Sequence, residues 1–338
     1  MEFFARDVLN PLVRGSNMER AQAREALAEI LEGRVEAVHI ASFLTALTMK
    51  GETAEEMTGF IDAMIDAATT FELEGDAIDI VGTGGDQLHT VNISTMASLA
   101  VAGCGVPVAK HGNRAASSSV GSADVLEALG VRLETSPATV RACVEGASIG
   151  FMFAPTYHHA LGYLTPIRRS LYFRTVFNVL GPLANPARVR RALIGVAPAA
   201  HLDHMARVIG SRGTDLSILV SGDDGLDELS LGGPSTLHRV TRSQTTVERI
   251  DAGEELGRRH GVDSLRGGDV AHNVRVVHAF LDAATGPVFD IACANAGLAL
   301  VAAGRAETLR DGFEMASTSV RDGRAAHALE QLVAISNA

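Results

Sequence analysis

Apolar residues in the first seventy positions recur every three or four residues, which is the spacing of helices with one buried face. The first such helix ends at Gly33, and a second runs from about residue 35 to Lys50. A third begins at Thr53, whose hydroxyl can form a capping box with Glu56. Because these apolar faces need a further layer to pack on, we expect residues 1–72 to form a small all-helical domain.

The pattern changes near residue 77, where short apolar runs begin to alternate with longer helical patterns. Such alternation is typical of an α/β domain with a central, largely parallel sheet. We expect this domain to span residues 73–338, with part of residues 155–190 joining the helical domain because that segment interrupts the alternation. Strands are expected at residues 77–81, 106–110, 149–153, 192–196 and 216–221. Helices are expected at residues 96–104, 122–129, 201–210, 270–283, 291–303 and 306–337, with another opened by Ser136 and Pro137.

A glycine-rich turn follows the first predicted strand. The stretch Asp79-Ile-Val-Gly-Thr-Gly-Gly-Asp86 ends in three glycines and an acid, and Asn92-Ile-Ser-Thr95 precedes a long apolar helix. Glycines let the backbone approach a ligand closely, and a helix start presents unpaired N–H groups and a positive dipole end. The pattern predicts a phosphate or pyrophosphate site, although a turn without a ligand is the alternative. Rossmann spacing is excluded by Gln87, and the Gly-Lys-Ser/Thr of a Walker loop is absent.

A basic cluster, Lys110-His-Gly-Asn-Arg114, lies at the end of the second predicted strand. Because the carboxyl ends of parallel strands meet at one edge of a sheet, this cluster and the glycine turn can line one crevice. Its cations and amide suit phosphate binding, and the hydroxyl-rich stretch 115–122 that follows is a second anion-binding candidate. The alternative for the cluster alone is a solvated basic turn.

Two further clusters carry charge. Asp223-Asp-Gly-Leu-Asp-Glu228 follows the last predicted strand, and hard oxygen ligands of this kind suit Mg²⁺ completed by waters and substrate phosphates. An EF-hand is excluded by Gly225, and a surface turn remains the alternative. Thr165-Pro-Ile-Arg-Arg169 is predicted to be a capped helix start, whose guanidinium groups could bind a substrate carboxylate or simply face solvent.

Composition narrows the class of protein. The 338 residues carry a formal net charge of −11, which argues against a nucleic-acid surface. Three widely spaced cysteines, Cys104, Cys143 and Cys293, are typical of reduced core residues. No signal-peptide pattern or run of membrane-spanning length is present, so we expect a cytoplasmic protein.

Taken together, these motifs resemble the anthranilate phosphoribosyltransferase family. Gly121-Ser-Ala-Asp124 and the stretch from Arg174 to Pro186 add to the resemblance, which runs in order through nearly the whole chain. It implies a small helical domain plus a large α/β domain, assembled as a homodimer through the helical part. It also implies that 5-phosphoribosyl 1-diphosphate and anthranilate react, with Mg²⁺, to give N-(5-phosphoribosyl)anthranilate and pyrophosphate in tryptophan biosynthesis.

The resemblance also implies roles for individual residues. Phosphoribosyl diphosphate would be bound by Gly82, Gly85, Asp86, Thr90, Asn92, Ile93, Ser94, Thr95, Lys110, His111, Gly112, Asn113, Arg114, Ala115, Ala116, Ser117, Ser118 and Ser122. Anthranilate would contact Gly82, Asn113 and Arg168. Mg²⁺ would be ligated by Ser94, Asp227 and Glu228. No general acid or base is assigned, because an aniline-type amine is uncharged at neutral pH and is already a nucleophile.

Two alternatives remain open from the sequence. A pyrimidine nucleoside phosphorylase would share the fold and the glycine turn but would leave Asp227 and Glu228 without an obvious task. A catalytically silent relative that binds nucleic acid would need a basic groove, which the net charge disfavours. The chain also departs from the family pattern at Gln87, Val120 and His159, which lie outside the glycines of the turn.

Overall fold

The computed structural model describes residues 3–115 and 120–338. Within these residues seven strands form one sheet: β1 Ile78–Gly82, β2 Val108–Gly112, β3 Ile149–Phe153, β4 Arg191–Gly195, β5 Leu216–Gly222, β6 Ser235–Val240 and β7 Thr245–Ile250. The spatial order is β3-β2-β1-β4-β5-β6-β7. The first five strands of this order are parallel, and β6 and β7 add an antiparallel edge.

Helices surround the sheet and form the first part of the chain. The described residues contain α1 Asn10–Val13, α2 Arg20–Leu31, α3 Ala37–Lys50, α4 Ala54–Asp66, α5 Ile93–Gly103, α6 Ser122–Ala128, α7 Pro137–Ala147, α8 Ala154–Tyr157, α9 Leu164–Leu171, α10 Phe177–Leu180, α11 Leu202–Ser211, α12 Ala252–Leu256, α13 Val270–Leu281, α14 Pro287–Ala302, α15 Leu309–Arg321 and α16 Arg324–Ser336. Shorter π or 3₁₀ turns lie at Phe4–Leu9, His159–Leu161, Gly181–Leu183, Ala199–His201 and Val262–Leu265.

The sheet is buried on both faces. Successive side chains of a strand point to opposite faces, so Leu193 and Ile218 join one apolar cluster while Ile194 and Leu219 join another. The first cluster contains residues of α5, α6 and α13 to α16, and the second contains residues of the helical part and α11. Two covered faces explain why the parallel strands are short, mostly apolar runs. The predicted fold class is confirmed.

The helical part packs around aromatic rings and one buried acid. The ring of Phe43 meets that of Phe60 edge-on, with 5.9 Å between centroids. Glu56 is fully buried. Its carboxylate accepts a hydrogen bond from the backbone N–H of Thr53 at 2.8 Å and forms an ion pair with Lys50 at 2.8 Å. The Thr53 hydroxyl in turn accepts the N–H of Glu56, so the predicted capping box is confirmed.

One element was missed and two local predictions were wrong. The hairpin of β6 and β7 was not expected. The helix expected over 306–337 is two helices, because Gly323 adopts a left-handed φ of 74° between α15 and α16. Helix α9 begins at Leu164, so Thr165 lies inside it and does not cap it.

Candidate active site

The glycine turn lies at the carboxyl end of β1 and is held from two sides. Gly84 and Gly85 have left-handed φ values of 65° and 75°, which favour glycine. The backbone N–H of Gly84 donates to Oδ2 of Asp227 at 2.7 Å. From the other side, the guanidinium of Arg174 donates to the carbonyl oxygens of Gly84 at 3.1 Å and Gly85 at 2.8 Å. The turn predicted to bind diphosphate therefore meets the acidic cluster predicted to bind metal.

Asp227 and Glu228 bring two carboxylates together at this edge. Burial, and the nearby Asp86, raise the pKa of Asp227 above its usual range. Burial and the adjacent Asp227 raise the pKa of Glu228 well above its usual value. Ionising both groups is costly unless a cation neutralises them, and this arrangement is typical of a site for a hard divalent ion.

The donor set fits Mg²⁺ only in part. Among the described residues, no group of three or more histidine, cysteine or acidic side chains is arranged to hold a metal ion. Mg²⁺ usually takes one or two protein carboxylates together with waters and substrate phosphates. Two neighbouring carboxylates beside the predicted phosphate-binding turn therefore fit this ion, because waters and substrate phosphates would supply its other ligands.

Lys110 supplies the buried positive charge. Its side chain is 1% exposed, and Nζ donates to the carbonyl of Ile80 at 2.6 Å and to the Ser94 hydroxyl at 3.4 Å. Burial lowers the pKa of Lys110 to about 8, with Asp79 and Glu228 opposing that shift. Lys110 thus links β1, β2 and the first turn of α5.

The start of α5 is held by hydrogen bonds on several sides. The Asn92 side chain does not cap the helix. Its Nδ2 donates to the carbonyl of Val120 at 3.1 Å, and its Oδ1 accepts from Asn273 at 3.0 Å. The hydroxyl of Thr95 is buried without a hydrogen-bond partner. Asn92 therefore positions this segment, and the first-turn amides of Ile93 and Thr95 are bonded to the carbonyls of Val91 at 2.8 Å and Asn92 at 3.1 Å. The positive end of the helix dipole still lies at this start.

A buried network fixes the end of β2. Asp79 accepts the backbone N–H of His111 at 3.1 Å and the Nδ2 group of Asn185 at 2.7 Å, and Asn185 also donates to the carbonyl of Ala109 at 3.0 Å. Burial raises the pKa of Asp79 to about 6, and the bond from Asn185 acts against this rise. Burial, and then the neighbouring His158, lower the pKa of His111 to about 3, so its imidazole is neutral.

Asn185→Ala is expected to destabilise the protein more at pH 8 than at pH 5. Asp79 is ionised above about pH 6, so its raised pKa makes stability fall as pH rises through that value. Loss of a charge-assisted donor should cost about 2 kcal/mol when the carboxylate is ionised and less when it is protonated. Urea unfolding at both pH values measures this, with the exposed Asn10→Ala as control. A loss independent of pH would contradict it.

The two cations of the basic cluster have different surroundings, since Lys110 is buried and Arg114 is exposed. The guanidinium of Arg114 pairs with Asp124 at 3.1 Å and with Glu127 at 2.7 Å and stacks over Phe153 at 5.5 Å. Asp124 also accepts the backbone N–H of Ala115 at 3.0 Å. Arg114 therefore braces the loop against α6 through these ion pairs, and its phosphate contact stays a prediction. Asn113 is exposed beside it.

The remaining predicted residues are placed less tightly. A Cβ on Gly112 would lie 2.4 Å from the Ser122 hydroxyl, so these two residues are neighbours. Thr90 forms an isolated antiparallel bridge with Arg266, and the Ile93 side chain is buried. Ala116, Ser117 and Ser118 lie outside the described residues.

Arg168 lies in α9 with its guanidinium over the ring of Phe177, 5.2 Å from the ring centroid. Burial lowers its pKa, and no carboxylate of the described residues forms an ion pair with it. A half-buried guanidinium without a counter-ion is suited to an anionic ligand.

A cavity of about 670 Å³ opens at the other edge of the sheet, before the starts of β1 and β4, where Asp76 and Arg190 are among its lining residues. It contains none of the predicted phosphate-binding loops. The chemistry-bearing residues therefore converge at the carboxyl ends of the strands, as expected for an open α/β sheet.

Comparison with known proteins identifies the family. Residues 6–68 match the family described as "Glycosyl transferase family, helical bundle domain", and residues 74–326 match "Glycosyl transferase family, a/b domain". The anthranilate phosphoribosyltransferase of Thermomicrobium roseum is 48% identical over 336 residues, covering 98% of this chain and 97% of that protein. This chain belongs to the anthranilate phosphoribosyltransferase family. The resemblance seen in the sequence is confirmed.

Solved anthranilate phosphoribosyltransferase structures agree with the fold. The Thermus thermophilus structure has a TM-score of 0.92 at 37% identity, and the match covers 98% of this chain and 100% of the Thermus chain. A Saccharomyces cerevisiae structure, described as in complex with PRPP and Mg, has a TM-score of 0.89 at 24% identity, covering 99% of each chain. At that identity the second comparison supports the fold alone.

Sequence reasoning gave no role to three residues of this anthranilate phosphoribosyltransferase-family chain that shape the site. Arg174 binds the turn carbonyls, Asn185 fixes β2, and Gly195 lies where a Cβ would be 1.6 Å from the carbonyl oxygen of Asp227. Arg174 and Asn185 belong to a motif that carried the resemblance. Their partners are distant in sequence, so the motif alone did not reveal their contacts.

Proposed function

We propose that the protein transfers the phosphoribosyl group of 5-phosphoribosyl 1-diphosphate to anthranilate, giving N-(5-phosphoribosyl)anthranilate and pyrophosphate in tryptophan biosynthesis. The observation that carries this is the hydrogen bond between Gly84 of the anion-binding turn and Asp227 of the acidic pair. It supports placing a candidate phosphate site and a candidate cation site in one crevice. Membership in the anthranilate phosphoribosyltransferase family supplies the reaction class.

The residues of the chain would act by binding and positioning. Backbone N–H groups of the turn would hold the diphosphate beside the positive dipole end of α5, and Lys110 would add positive charge. Bound Mg²⁺, held by Ser94, Asp227 and Glu228, would neutralise the charge that develops on departing pyrophosphate. The amine of anthranilate, held near the ribose C1, needs no strong base because it is uncharged.

The proposal extends to the other predicted roles. Support comes from the shared edge of the sheet, where β1, β2 and β5 all end. Diphosphate or ribose contacts are proposed for Gly82, Gly85, Asp86, Thr90, Asn92, Ile93, Ser94, Thr95, Lys110, His111, Gly112, Asn113, Arg114, Ala115 and Ser122. Anthranilate contacts are proposed for Gly82, Asn113 and Arg168.

A fluorescence assay that follows anthranilate consumption tests the proposed reaction. Signal should fall only when 5-phosphoribosyl 1-diphosphate and Mg²⁺ are both present, and pyrophosphate should appear in equal amount. Phosphorolysis of uridine or thymidine without a metal, with no loss of anthranilate, would instead favour a nucleoside phosphorylase.

Arg168→Ala is expected to raise the KM for anthranilate about tenfold and to change the KM for phosphoribosyl diphosphate by less than about twofold. The reason is the loss of a half-buried guanidinium that has no carboxylate partner among the described residues. Steady-state kinetics with each substrate varied in turn measures the effect. The exposed neighbour Arg169→Ala is the control, and an unchanged anthranilate KM in Arg168→Ala would refute the contact.

We also propose that the protein is a homodimer formed through its helical part. Several large apolar side chains are exposed there, including Met49 at 84% and Tyr172 at 96%. An exposed apolar patch is typical of protein interfaces, and these side chains would supply one. Sedimentation equilibrium tests the dimer, and Met49→Glu should shift it toward monomer; a monomeric wild-type protein would contradict it.

The domain boundary and compartment remain proposals. A division near residue 72, with part of residues 155–190 in the helical domain, is supported by Leu164 and Val179, which share one apolar cluster with Phe43 and Phe60. Every helix in the described residues is too short or too polar to cross a bilayer. A cytoplasmic location rests on the biosynthetic role proposed above.

A further inference from the structure

Arg174 reaches the phosphate turn from outside the sheet. It lies between α9 and α10, is partly buried, and donates through Nη1 to the carbonyl of Gly85 at 2.8 Å and through Nη2 to that of Gly84 at 3.1 Å. One planar guanidinium thus bonds two successive carbonyl oxygens. Arg174 opens the motif that ends at Pro186, for which neither the resemblance nor the proposed function supplies a task.

This contact determines where the turn directs its N–H groups. In a trans peptide unit the C=O and N–H groups point in opposite directions. Holding the carbonyls of Gly84 and Gly85 toward Arg174 therefore turns the N–H groups of Gly85 and Asp86 away from it. No acceptor among the described residues bonds these two N–H groups, whereas the N–H of Gly84 is already bonded to Asp227. Successive backbone N–H groups in a turn can form an anion-binding concavity.

The turn has a backbone conformation that needs an external support. Besides the two glycines, Gln87 and His89 also have left-handed φ values, of 60° and 52°. Such conformations are unfavourable for residues with a side chain and persist where the surroundings fix them. A Cβ on Gly85 would lie 2.1 Å from Nη1 of Arg174, so the guanidinium packs directly against the turn.

We infer that Arg174 is a positioning residue that keeps the N–H groups of Gly85 and Asp86 directed at the diphosphate. The inference rests on the proposed function, because it specifies how that site binds its phosphate-bearing substrate. Arg174 acts on the far side of the turn, through the turn carbonyls.

Arg174→Met keeps an unbranched apolar stem and removes both donors, whereas Arg174→Lys keeps a cation that can reach one or both carbonyls. Calorimetric binding of magnesium pyrophosphate should weaken about tenfold in Arg174→Met and less in Arg174→Lys. The KM for phosphoribosyl diphosphate should rise in parallel, while that for anthranilate changes by less than about twofold. The exposed Arg169→Met is the matched control and should bind pyrophosphate like the wild type.

Unchanged pyrophosphate affinity in Arg174→Met would overturn the inference. Equal loss of affinity for both substrates in both variants would also overturn it, because that pattern indicates general disruption of the fold. The binding measurement separates this inference from the proposed reaction. A wild-type protein that binds magnesium pyrophosphate but consumes no anthranilate would refute the reaction, while the comparison with Arg174→Met would still decide the positioning role.

Discussion

Replacing Asp227 with asparagine is expected to lower kcat about 100-fold and to raise the Mg²⁺ concentration needed for half-maximal activity. Asparagine has nearly the same shape, and its Oδ1 can still accept the N–H of Gly84 that Asp227 now binds at 2.7 Å. The variant therefore removes a negative charge while keeping the turn in place. A neutral side chain cannot balance a divalent ion beside Glu228, so charge stabilisation of the leaving pyrophosphate should suffer.

A Mg²⁺ titration of activity, made with saturating substrates, measures both effects. Asp223→Asn is the matched control, because Asp223 is an exposed acid of the same loop that pairs with Arg249. It should leave kcat and the metal titration within about twofold of the wild type. An Asp227→Asn enzyme with a wild-type metal titration would show that this carboxylate does not contribute to the cation site.

The sequence predicted those structural elements that depend on residues only a few positions apart. The spacing of apolar residues and the glycines that follow identified β1 and β3, and the residues Thr53 and Glu56 identified the capping box. Strand β7 was missed because all but the last of its six residues, Thr245–Ile250, are exposed, so it carries no apolar alternation. The break at Gly323 was missed because flanking helical patterns of similar composition ran together across it.

The candidate site also combines features that depend on nearby residues with contacts between residues distant in sequence. The glycine turn is recognisable by itself, but its two supports, Asp227 and Arg174, lie 143 and 90 positions from Gly84. Only the order of the strands brings them together. The resemblance supplied Asp227 as a residue, without its bond to the turn. Arg114 shows a similar limit, because its motif gives no sign that the guanidinium pairs with Asp124 and Glu127 of α6.

Gly195→Ala is expected to destabilise the protein by about 1–3 kcal/mol and to reduce kcat at least tenfold. Gly82 and Gly195 are register partners at the carboxyl ends of β1 and β4, and the loop bearing Asp227 lies over both. A Cβ on Gly195 would be 1.6 Å from the backbone oxygen of Asp227. Backbone cannot rotate aside as a side chain can, so the whole acidic segment must shift and carry Glu228 with it.

Two matched substitutions make this prediction specific. Gly82→Ala places its Cβ 2.5 Å from the side-chain Oδ2 of Asp227, which can swing away, so its stability loss should be smaller than that of Gly195→Ala. Gly233→Ala meets nothing within 4 Å and should behave like the wild type. Urea unfolding and the Mg²⁺ titration of activity measure all three. If Gly195→Ala kept both wild-type stability and wild-type metal dependence, the close packing of Asp227 on β4 would not be what positions the acidic pair.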